Sequence, residues 1–111
     1  MSLKEVTFAC GYAQYTTTSS AFTLNTAPDT GGTFNSQAAG NNGQQPNAVL
    51  MQAEAANIRW RGDDVDPTTT VGNILYAGTT MLYDGPLNRI RFIQATAGAI
   101  LNVQYLYGGA G

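Results

Sequence analysis

The residues of this chain that could do chemistry are few, and most are carboxylates. Asp63, Asp64 and Asp66 crowd one short stretch, and hard oxygen donors of this kind suit calcium. The stretch lacks the Asp-x-Asp-x-Asp-Gly order and the distal Glu of an EF-hand loop. It reads instead as solvated, as capping a turn before Pro67, or as balancing arginines of a neighbouring strand or subunit. Glu54 and Asp84 are the other candidates for acid–base work, but paired catalytic carboxylates need a set separation across a cleft. Nothing in the sequence places these two opposite each other. His is absent, so the commonest general base and metal ligand are both missing. Cys10 is the sole cysteine, which excludes an intrachain disulfide and reads as a small buried apolar residue. No Gly-rich phosphate loop leads into a helix, and no Ser or Cys nucleophile has a His partner. The expectation is a protein that is not an enzyme, with no cofactor and no metal.

Arginine is the one charged type with a pattern. Asn57-Ile58-Arg59-Trp60-Arg61 and Arg89-Ile90-Arg91-Phe92-Ile93 both alternate polar with apolar residues at period two. That period predicts two strands with Ile58, Trp60, Ile90 and Phe92 turned to a core and Arg59, Arg61, Arg89 and Arg91 turned out. Four of the five basic residues then share one outward face. Such a face deters edge pairing, or it docks on a partner, since Arg is enriched at interfaces and offers a planar fork to carboxylates. With Phe34, these four arginines form the candidate partner interface. Arg61-Gly62-Asp63 also spells an integrin-type adhesion tripeptide, but it reads as a strand end and a turn. Tyr12, Tyr15, Tyr76, Tyr83, Tyr105 and Tyr107 are the alternative, as a sugar-binding face.

The elements that must carry these residues are short. Leu3 to Cys10 alternates, Gly11 breaks it, and Tyr12 to Thr18 follows as a second β-prone segment. Ala21 to Leu24 is another short run. Asn25 to Asn47 is dense in turn residues, and only Phe34 is bulky and apolar there. It reads as a long loop, disordered or ordered as an arm against a partner. Val49 to Ala53 reads as a strand, with a helix over Ala48 to Ala56 as its rival. A polar loop follows from Gly62 to Val71. Ile74-Leu75-Tyr76 and Met81-Leu82-Tyr83 flank Ala77-Gly78-Thr79 as a hairpin. Asp84-Gly85-Pro86 turns into Leu87 to Ala95, and Ala97-Gly98-Ala99 into Ile100 to Tyr107, with Leu101, Val103 and Tyr105 on one face. Gly108 to Gly111 forms a tail. Eight or nine short strands without a long amphipathic helix predict an all-β, antiparallel β-sandwich or jelly-roll-like single domain over residues 1–111.

The totals of the 111-residue chain agree with that outline. Only 11% of residues are charged, well under the roughly 25% of ordinary domains, which suits a surface covered by neighbours. A net charge of -2 gives no basis for nucleic-acid binding. No long apolar run follows Met1-Ser2-Leu3-Lys4-Glu5, so neither a signal peptide nor a membrane helix is expected.

In length, strand-rich sequence and polar, low-charge composition the whole chain resembles the small decoration (staple) proteins of tailed bacteriophages, those of epsilon-fifteen-like short-tailed phages in particular. The resemblance lies in general character and transfers a role without naming residues. It implies a β-sandwich made in the host cytoplasm that sits on the virion exterior. There it would clamp adjacent subunits of the major capsid protein, alone or as a homodimer. The competing class is a carbohydrate-binding module of a phage tail or cell-surface protein with the same sandwich shape. Exposed aromatics in a row would favour sugar; a buried arginine face and partner-ordered loops would favour the shell.

Overall fold

Alternation of apolar and polar residues decides the architecture, because a strand with one apolar face must bury it against a second sheet. The computed structural model describes residues 7–26, 28–31 and 46–108, and shows an all-β antiparallel sandwich. In chain order the strands are β1 (Thr7–Thr16), β2 (Phe22–Thr23), β3 (Thr30–Gly31), β4 (Ala48–Glu54), β5 (Ile58–Arg61), β6 (Asn73–Leu75), β7 (Thr80–Tyr83), β8 (Arg91–Gln94) and β9 (Ile100–Gly108). Five strands form one sheet in the order β3-β1-β9-β4-β7, and four form the other in the order β2-β8-β5-β6.

The inner face of the five-stranded sheet is built in register. Val103 of β9 faces Ala13 of β1 and Met51 of β4, and Leu101 faces Tyr15 and Ala53. All six side chains are buried. From the other sheet Ile58, Leu75 and Phe92 complete the same core, with Phe22 and Trp60 packed against it. Phe22 links the layers, its ring 5.5 Å from that of Tyr15 and 5.6 Å from that of Phe92. Tyr15 and Tyr105 are fully interior, and their hydroxyls stay satisfied by bonding each other at 2.7 Å, with Tyr15 also 2.8 Å from the Leu24 carbonyl.

Three local expectations need correction. Gly11 does not end a strand: β1 runs through it, and the register with β9 shifts between Ala9 and Gly11 as a β-bulge. A glycine inside a strand is a favoured place for such an extra residue. Residues 74–83 are not a hairpin. β6 pairs with β5 and β7 with β4, so the chain crosses from one sheet to the other. The crossing is held by Ala77 N–H on Asn57 Oδ1 at 2.8 Å and by Gly78 N–H on the Ala53 carbonyl at 2.8 Å. The predicted strand from Leu87 is shorter, since 87–89 form a turn before β8. In contrast β4 is the strand expected over Val49–Ala53 and not the rival helix. Within 25–47, β3 pairs with β1 at Ala13 and Gln14. Phe34, with Ala27 and the rest of 32–45, and the side chains up to Cys10 lie outside the described residues.

Candidate interaction surfaces

The two outer faces of the sandwich are the candidate sites, and they differ in character. On the four-stranded sheet, β5 and β8 are neighbours, as the sequence pattern requires, and Arg61 pairs directly with Arg91. Arg59 is two residues along the same face, opposite Ile93. The sequence therefore brought three of its four arginines to one surface. Arg89 lies outside the strand, exposed in the turn before β8. The Asp63 carboxyl is lowered chiefly by its hydrogen bond from Arg61, and the charge of Arg89 adds a smaller effect in the same direction.

The face is not bare. Residues 62–72 return over it, and their groups take the guanidinium donors one by one. Arg61 holds Asp63 through Nε at 3.0 Å and Nη2 at 2.6 Å. Arg91 donates to Asp66 at 2.7 Å and to Asp64 at 2.9 Å. Arg59 donates from Nε to the Thr69 carbonyl at 3.1 Å and from Nη1 to the Gly72 carbonyl at 2.8 Å. The three aspartates balance Arg61 of β5 and Arg91 of β8 while staying about half exposed, so the solvated and the arginine-balancing readings hold together. No group of three or more metal-ligating side chains forms a candidate metal site among the described residues. Arg61 and Asp63 bond each other, so the adhesion tripeptide is closed on itself. The Arg61 guanidinium holds the Asp63 carboxyl below the usual carboxylate range.

Close approach fixes the far end of this strap. Gly72 has φ +139°, and a side chain there would put its Cβ 3.1 Å from Pro67 Cβ and 3.3 Å from Arg59 Cβ. Pro67 is buried although it sits in the loop. Ile93 is only 4% exposed yet lies outside the main core cluster, on the arginine side of β8. Its burial is explained by cover from outside the sheet. Arg61, Gly62 and Asp63 on one side and Val71, Gly72 and Asn73 on the other line a cleft of about 390 Å³. Arg91 Nε is buried with no hydrogen-bond partner among the described residues, so this array has a donor to spare.

On the five-stranded sheet two neighbouring cross-strand rows occupy the middle of the outward face. One runs Tyr12, Gln104, Leu50, Leu82 and the next Gln14, Asn102, Gln52, Thr80. Neither row carries a charge. Asn102 centres a network, accepting from the Tyr12 hydroxyl at 2.6 Å and from Gln14 at 3.0 Å, and donating to Glu54 at 2.9 Å. Tyr12, Leu50 and Leu82 are exposed by 41%, 40% and 58%. Nothing in the alternation separated these positions from ordinary solvent-facing ones; their common row appears only once the register is known. The tyrosines do not form a single face. Tyr15 and Tyr105 are core, Tyr83 packs its edge on Trp60 at 5.8 Å, and only Tyr12 belongs to these rows.

No family model, curated protein or solved structure matches the chain.

Proposed function

We propose that the chain is a non-enzymatic structural protein of a phage virion. It binds the outside of the capsid and clamps neighbouring major capsid protein subunits. The observation that supports this most is the outer face of the four-stranded sheet, where Arg59, Arg61 and Arg91 form a fixed array. Their guanidiniums are oriented before any partner arrives, which reduces the ordering entropy of docking. A half-buried arginine face favours a protein surface over sugar, and the tyrosines are dispersed between core and surface. The sparse charge of the chain, 11%, fits a surface that neighbours cover.

Arg89 is the cleanest probe of docking, because it forms no ion pair among the described residues. Arg59→Ala also tests the patch but releases the strap carbonyls as well. Purified chain is added back to shells stripped of it, and occupancy is read at rising salt. The Arg59→Ala/Arg89→Ala variant should fold and decorate shells less, with the deficit largest at low salt and shrinking as salt screens the arginine contacts of the wild type. Wild-type occupancy and salt resistance in this variant would reduce the patch to a solvated face.

One observation favours a second reading, a carbohydrate-binding module. The uncharged rows around Tyr12, Gln52 and Asn102 line a shallow groove of about 240 Å³. Neutral oligosaccharides that shift the NMR signals of these residues would support it.

A further inference from the structure

We infer that the arginine face is a carboxylate-binding surface that the chain's own aspartates occupy, and that its partner is a protein segment carrying closely spaced Asp or Glu residues that takes their place. This rests on the docking reading above and names the chemistry of the docked segment. The bound chemistry is on display in the molecule itself. Two arginines on adjacent strands already hold three carboxylates from five consecutive loop positions, 62–66.

The geometry makes the aspartates exchangeable. They lie on the solvent side of the pairs: Asp63, Asp64 and Asp66 side chains are 48–62% exposed, whereas Arg61 and Arg91 are each 31% exposed. Exposed ion pairs of this kind contribute little to stability, so an incoming carboxylate replaces like with like. The two halves of the strap are anchored differently. Its second half is held by the Arg59 bonds to Thr69 and Gly72 and by the tight approach of Gly72 to Pro67. Its first half relies on the ion pairs and on one backbone bond, Asp64 N–H to the Arg89 carbonyl at 3.1 Å. The first half can therefore lift while the second stays. Charge complementarity decides the occupant: a cationic or uncharged segment would gain nothing from Arg61 and Arg91 once the aspartates left.

The test uses the full chain and the acetylated, amidated peptide Asp-Asp-Val-Asp-Pro, which copies residues 63–67. Asp64→Asn/Asp66→Asn removes both carboxylates from Arg91 and keeps side-chain shape. Glu54→Gln/Asp84→Asn removes the same charge elsewhere. The first variant should bind the peptide about tenfold more tightly than wild type, as expected if the strap holds the site roughly nine-tenths of the time. The charge-matched control should stay near wild type. Equal gains in both variants would reveal only net-charge attraction and overturn the inference, and so would no gain in the first. If the double variant fails to fold, Asp66→Asn alone must show a gain in the same direction, and its absence is equally decisive. Particle occupancy judges docking separately. Reduced decoration by Arg89→Ala without any peptide gain in Asp64→Asn/Asp66→Asn would keep the docking face and remove the exchange.

Discussion

Arg61 and Arg91 stand directly opposite each other across the β5–β8 pair, two like charges on one sheet face. Directly opposed like charges destabilise a sheet. Here the sequence supplies the remedy on the chain that leaves β5. Asp63 takes Arg61, and Asp64 and Asp66 take Arg91, at 2.6–2.9 Å. The cationic pair thus shapes the 62–66 loop, and the loop makes the pair tolerable.

Acid should loosen this arrangement. The Asp63 carboxyl is held below its ordinary range by the hydrogen bond from Arg61. A depressed folded-state value means that the contribution is complete above the unfolded carboxylate value near 4 and is lost as pH falls through the lower, folded one. Backbone hydrogen exchange over 62–66 should accelerate in that window. Asp63→Asn should flatten the response at Arg61; an unchanged acid profile would detach the loop from this ion pair.

Gly72 should not accept a side chain. With φ +139° and a built Cβ 3.3 Å from the Trp60 carbonyl, Gly72→Ala meets both backbone strain and crowding. A loss of about 1 kcal/mol or more is expected in urea unfolding. Exposure of Ile93 should accompany it, read as faster exchange in β8. Full stability in the variant would mean that the strap sits more loosely than its contacts show.

The core hydroxyl pair predicts an alkaline limit. Burial pushes the Tyr15 phenol up from 10.0 to about 12, and it raises Tyr105 further. A raised value favours the protonated, folded form, so stability is complete below pH 10 and falls as pH rises toward the folded value. Tyr15→Phe would remove its hydrogen bonds to the Leu24 carbonyl and the Tyr105 hydroxyl, at a cost of about 0.5–1.5 kcal/mol for each. Chemical denaturation with tyrosinate absorbance measures both. Early tyrosinate formation at Tyr15 without unfolding would contradict the burial.

Much of the fold was legible because its signal is local. Val49, Met51 and Ala53 in β4 and Leu101, Val103 and Tyr105 in β9 repeat at period two, and all six are buried. The pairing of β5 with β8 was legible from matched alternation and matched arginines. The crossing at 77–79 was not, because Ala77-Gly78-Thr79 carries the same turn signal whether the next strand returns to its sheet or joins the other one. What separates the two cases is Asn57 reaching Ala77, a contact 20 residues apart in sequence. The arginine face was legible as a cluster, but its cover was not. Which aspartate meets which arginine depends on the β5–β8 register and on a loop path that composition does not encode.

The capsid-binding account rests most directly on the ratio of this chain to the major capsid protein in purified particles, measured by quantitative mass spectrometry before and after a salt wash. The account predicts a fixed ratio set by the shell's geometry, with the chain on the exterior and released as salt screens the arginine contacts. Absence from particles, or a ratio that varies between preparations without regard to salt, would contradict it.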